Sequence, residues 1–68
     1  MERIFKRYCV FPMGARFIVT DQARVDRIGN YKVVARFPTL AEAERSAVAR
    51  QRAFERRVAV GEEARYVA

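Results

Sequence analysis

Few residues in this chain could begin a reaction. Histidine is absent, which removes the commonest general base and the commonest transition-metal ligand. Cys9 is the single cysteine. It cannot close an internal disulfide or build a structural zinc site, and its strand-like apolar neighbours suit a small buried hydrophobe. The carboxylates Glu2, Asp21, Asp26, Glu42, Glu44, Glu55, Glu62 and Glu63 show no arrangement that demands a catalytic pair. Glu42 and Glu44, two apart on a helix, point in different directions. Ser46, Thr20 and Thr39 are the only aliphatic hydroxyls, and Gly14, Gly29 and Gly61 are too scattered to cradle a phosphate. These residues predict a protein without catalysis, cofactor or metal.

Arginine is what the chain has in quantity. The stretch RFPTLAEAERSAVARQRAFERR, Arg36 to Arg57, carries six arginines against three glutamates. Through Pro38 the chain already holds eight basic residues, Arg3, Lys6, Arg7, Arg16, Arg24, Arg27, Lys32 and Arg36, against Glu2, Asp21 and Asp26, a balance of +5 out of a net +6. A pI near 10.5 and clustered arginines are the electrostatic footprint of phosphate-backbone binding. On exposed strands the same charges would discourage edge-to-edge aggregation.

The elements that position these charges follow from pattern and punctuation. At 68 residues the chain forms one domain, and folding at this size buries only about 60% of the unfolded surface, so the core is small. The expected domain spans 1–68, with a core over about 4–58 and an added strand or frayed tail over 59–68. RIFKRYCVF from Arg3 reads as a first strand ending at the turn signal Pro12 to Gly14. ARFIVTD reads as a second, with Phe17 and Val19 on one face and Arg16, Ile18 and Thr20 on the other. A hairpin loop of three or four residues decides whether Lys6 and Tyr8, or Arg7 and Cys9, point away from the core. QARVDRIGN, Gln22 to Asn30, is expected as a mobile loop. YKVVARF gives the third strand, with Tyr31, Val33, Ala35 and Phe37 facing one way and Lys32, Val34 and Arg36 the other.

Pro38 keeps Phe37 out of a helix, and Thr39 followed by Glu42 forms a capping box at a helix start. Leu40, Ala43, Ala47, Phe54 and Val58 then share one narrow stripe, with Val48 on its flank and Gln51 inside it. Arg45, Arg52 and Arg56 line the opposite side, where Glu42 with Arg45 and Arg52 with Glu55 are spaced to pair. The expected fold is α+β, a three-stranded antiparallel meander on one long C-terminal helix. One helix covers only one sheet face, and the alternation places Arg16, Lys32 and Arg36 on the other.

The order aromatic strand, turn, Gly14, Arg16-Phe17, third strand and FPTLAEA (Phe37 to Ala43) resembles the DNA-binding domain of plant ethylene-response factors. It is similar also to the amino-terminal arm-binding domains of tyrosine integrases and to short uncharacterised bacterial proteins with the same Phe-x-Thr-x-x-Glu-Ala helix start. That likeness implies a sheet face that enters the major groove, and it makes Arg16 the second-strand contact. Cys9, Val10 and Phe11 stand where those families are basic.

The reading that results is a small basic binding module, nucleic acid and DNA first. Arg7 or Lys6, Arg16, Lys32 and Arg36 would contact phosphates, Arg24 and Arg27 would close from the loop, and little base readout would follow. The alternative is a protein-interaction module, such as a small regulator or inhibitor encoded by a phage or mobile element, set against an acidic partner. A homodimer that buries a sheet face is a further route for so small a domain. No apolar run approaches the roughly 20 residues of a membrane span, and no signal-peptide stretch is present, so a cytoplasmic protein without membrane contact is expected.

Overall fold

The computed structural model describes residues 4–61. Strands β1 (Tyr8–Met13), β2 (Arg16–Val25) and β3 (Tyr31–Phe37) form an antiparallel sheet in the order β1-β2-β3, followed by helix α1 (Leu40–Ala59). The α+β meander with one C-terminal helix is therefore the fold. The expected strand or tail over 59–68 lies, beyond Gly61, outside the described residues.

The first hairpin is tighter than its turn signal suggests. Met13 pairs directly with Arg16, so only Gly14 and Ala15 form the loop, where three or four residues were expected. Gly14 has φ +60° and, among the described residues, no non-glycine residue has positive φ, as a type II′ turn with glycine first requires. Strand β1 thus continues through Pro12 to Met13 instead of ending at Phe11. It also starts at Tyr8, five residues later than expected, because the chain ahead of it is held by the helix. Gln51 Oε1 accepts from Arg7 N (2.9 Å) and Tyr8 N (3.3 Å), and Gln51 Nε2 donates to Phe5 O (3.0 Å) and Glu55 Oε2 (3.1 Å). The polar residue inside the helix stripe is thereby explained, since it ties α1 to the entry of β1.

The second connection is shorter than the Gln22–Asn30 loop that was expected. Strand β2 continues to Val25, and Asp26 organises the turn: its Oδ1 accepts from Ile28 N (3.0 Å) and Asn30 N (2.9 Å), while Asp26 N donates to Asn30 O (2.8 Å). An aspartate that bonds backbone N–H groups two and four residues on supplies the turn with its own partners.

The core lies between α1 and one face of the sheet. Val19, Ala43 and Phe54 are fully buried, with Ala47 and Val58 nearly so. Tyr8, Val10, Phe17, Ala35 and Phe37 pack around Val19, Ala43 and Ala47. The two alanines let helix and strands approach closely. Leu40 departs from the stripe and is 46% exposed, because it opens the helix at the first turn, beyond the sheet's cover. Thr39 is the N-cap and its Oγ1 accepts from Glu42 N at 3.3 Å. At the other end Gly61, at φ +88°, donates to Val58 O (2.9 Å), closing the helix with a left-handed residue that glycine adopts without strain.

Candidate nucleic-acid interface

Residues directly opposite in an antiparallel sheet share a face, so the register decides which cations stand on the uncovered side. Val19 faces the helix, together with its partners Val10 and Ala35. The alternate rows, Met13 with Arg16, Phe11 with Ile18 and Arg36, and Cys9 with Thr20 and Val33, therefore form the open face. Arg16 and Arg36 lie there as expected. They are diagonal neighbours across β2 and β3, a separation of about 7–8 Å for such pairs, and both are exposed.

Lys32 does not join them. Val19 pairs with Ala35 while Thr20 pairs with Val33, so Val34 is an extra residue, a bulge that reverses the alternation along β3. Lys32 pairs with Asp21 and stands on the helix side, at the exposed edge strand. The bulge also turns Val34 toward the core, although simple alternation puts it with Arg36.

Arg7 is turned inward. Its Nε donates to Asp21 Oδ1 (2.8 Å) and its Nη2 to Asp21 Oδ2 (3.0 Å), a two-point ion pair whose side chains are 12% and 3% exposed. The guanidinium carbon lies 5.1 Å from the Phe54 ring centre and 5.5 Å from that of Tyr8, within cation–π range. Burial pushes the Asp21 carboxyl up, but the Arg7 hydrogen bonds, the Ala23 N–H (2.9 Å) and the charges of Arg7 and Arg24 outweigh it and hold the group below its ordinary value. Arg7 thus serves the fold, and its guanidinium is withdrawn from the surface that would meet a phosphate. Arg24 lies exposed near the end of β2 and Arg27 exposed in the Asp26 turn, both away from the Arg16–Arg36 diagonal along the sheet.

The open face is less polar than its cations suggest. Ile18 and Thr20 on this face are only 5% and 4% exposed, although the one helix among the described residues packs on the other face. Phe11 and Met13 are 45% and 56% exposed. The methionine therefore sits directly across from Arg16, and the aromatic ring lies on the far side of Ile18 from Arg36. Cys9 is half-buried in the same face.

Three of the described acids are occupied within the fold. Asp21 holds Arg7, Asp26 holds its turn, and Glu55 accepts from Gln51. Glu42 with Arg45 and Arg52 with Glu55 make no ion pair, and among the described residues Arg16, Arg24, Arg27, Lys32 and Arg36 pair with no acidic side chain. Among the described residues, no three histidine, cysteine or carboxylate side chains converge on a point that could hold a metal, and no helix is long and apolar enough to cross a membrane. No protein-family model, curated protein or solved structure matches the chain.

Proposed function

We propose that the protein is a non-enzymatic nucleic-acid-binding module that grips a phosphate backbone with the open face of its sheet. The observation that carries this reading is the pair Arg16 and Arg36, side by side on an uncovered face and neutralised by no acid among the described residues. Each guanidinium offers a forked donor set suited to phosphate. The exposed ring of Phe11, across β2 from Arg36 on the same face, gives an unpaired base a surface on which to stack. Arg24 and Arg27 extend the positive field along the sheet and speed encounter. DNA is the first partner to test, in line with the motif likeness to sheet-reading DNA-binding domains. Because the contacts are to phosphate and to a ring face, sequence discrimination is small.

A second reading, an acidic protein partner, is favoured by the exposed Phe11 and Met13 beside the arginines, since an apolar centre with an arginine rim is what protein interfaces use. One titration separates the two. Arg16→Ala with Arg36→Ala should weaken binding to unrelated duplexes and single strands by similar factors. It should also flatten the dependence of log K on log salt by about 1.8 on duplex DNA, two contacts' worth. Arg45→Ala with Arg56→Ala removes equal charge from the helix surface and should cost far less. Equal losses would assign the effect to net charge alone, and no binding by the parent at about 50 mM salt would leave the protein partner as the working model.

A further inference from the structure

The outer edge of β1 and the flank of α1 enclose a groove of about 530 Å³, lined by Lys6, Tyr8, Val10, Ala47, Val48 and Arg52 among others. Strand β1 is an edge of the sheet among the described residues. A two-residue hairpin closes on a hydrogen-bonded pair, here Met13 with Arg16, and Gln22 N donates to Arg7 O (2.6 Å). Arg7, Cys9, Phe11 and Met13 therefore bond toward β2, and Tyr8, Val10 and Pro12 turn their backbone groups outward. Of these, Tyr8 N–H is taken by Gln51 and proline has no N–H. Among the described residues of this edge, Val10 alone keeps both an N–H and a C=O without a partner. Such an edge cannot hold a long peptide strand, which needs a donor at every second residue. It suits a two-fold axis, across which one residue serves both chains.

The helix beside this edge has the same symmetry. Glu44, Val48 and Arg52 are four apart, one above another on the helix flank, all exposed, with Val48 at 48%. All three line the groove that Val10 lines. Two antiparallel copies of this flank, crossed at Val48, set Glu44 of each against Arg52 of the other.

We infer that this groove is a self-association surface whose occupant is a second copy of the chain, with one two-fold axis passing through Val10 and Val48. Val10 N–H of each protomer donates to Val10 C=O of its partner, the valines close under the seam between the helices, and two Glu44–Arg52 pairs seal its ends. The sheets join into six strands, and the open faces with their Arg16 and Arg36 become continuous. This arrangement does not depend on the nucleic-acid reading.

Sedimentation equilibrium on the full chain at physiological ionic strength tests it through charge reversal. Glu44→Arg and Arg52→Glu should each weaken dimerisation by about tenfold or more, because each turns two attractive pairs into repulsive ones. Combining both substitutions in one chain should restore the affinity, and an equimolar mixture of the two single variants should form the heterodimer. The amide of Val10 should exchange more slowly as concentration rises. If overall repulsion between positive chains governs instead, Arg52→Glu will tighten association, which overturns the proposal. So will a parent that stays monomeric up to about 1 mM, the result expected if the chain's own residues beyond Gly61 fill the groove.

Discussion

Removing the Asp21 carboxylate gives the sharpest test of how the sheet and its charges are held. Arg7 donates to both oxygens of Asp21, and the two side chains are 12% and 3% exposed. In Asp21→Ala the guanidinium beside Phe54 and Tyr8 loses both Asp21 hydrogen bonds, and the Ala23 N–H loses its acceptor. Breaking one partner of a buried pair costs about 3–5 kcal/mol. A domain of 68 residues has about 3–10 kcal/mol in total, so the variant should be largely unfolded or close to it. Urea denaturation followed by far-UV circular dichroism at neutral pH measures the loss. The pairing logic makes a second demand. Arg7→Met with Asp21→Leu replaces both charges by apolar groups of similar bulk and should be clearly more stable than Asp21→Ala alone, because both charges of the pair leave together. A cost below about 1 kcal/mol for Asp21→Ala, the scale of a surface pair, would refute the claim that this pair is structural, and Arg7 would return to the candidate phosphate ligands.

Three other outcomes follow from the same structure. Because Asp21 titrates below its ordinary value when folded, its contribution is present above the unfolded value of about 3.9 and is lost as pH falls through the folded one. Thermal melts of the parent should therefore drop in acid more steeply than those of Asp21→Asn, and parallel curves would contradict the shift. Phe54 is fully buried, so Phe54→Ala should cost about 3–5 kcal/mol, read as a collapse of the cooperative urea transition; a midpoint close to the parent's would mean that α1 does not dock through this ring. Thr39 caps α1, and Thr39→Ala should cost about 0.5–2 kcal/mol, with an unchanged midpoint excluding the cap.

What was legible in the sequence was whatever depends on local period and punctuation. Thr39 with Glu42 marks the helix start, the spacing of Ala43, Ala47, Phe54 and Val58 marks its buried stripe, and Gly61 marks its end. Phe17 and Val19 face the helix as alternation requires. The cations were harder, because their faces depend on single-residue events that leave no periodic trace. The bulge at Val34 moves Lys32 to the helix side, and no feature of YKVVARF announces it, since all three of Val33, Val34 and Ala35 are suited to either face. The inward turn of Arg7 depends on Asp21, fourteen residues away, and on the pair's shared burial against Phe54. Only a weak sign existed, an acid directly after the apolar run Phe17 to Thr20. Gln51 carried a clearer one: a polar residue in an apolar stripe needs a partner, and the open backbone of Arg7 and Tyr8 supplies it.

These shifts change what net charge can be asked to explain. A chain of +6 suggests a broad basic surface, yet of the candidate cations in the paired rows the open face keeps Arg16 and Arg36 once the bulge has displaced Lys32 and Asp21 has drawn in Arg7. Two phosphate contacts give a salt slope of only about 1.8 on duplex DNA, which suits a weak, sequence-tolerant grip. The same face becomes more useful if two copies share it. Pairing through β1 would place four arginines on one continuous surface, with Phe11 and its symmetry mate near the centre, and would double the phosphate contacts without any new cation in the sequence. The edge of β1 then has two properties that pull against each other. Pro12 and the Gln51 bond to Tyr8 remove donors that a stray strand would need, while Val10 keeps the one donor and one acceptor that a two-fold partner can use. A closed, symmetric pair is the association such an edge permits, and an open-ended stack of strands is the one it prevents.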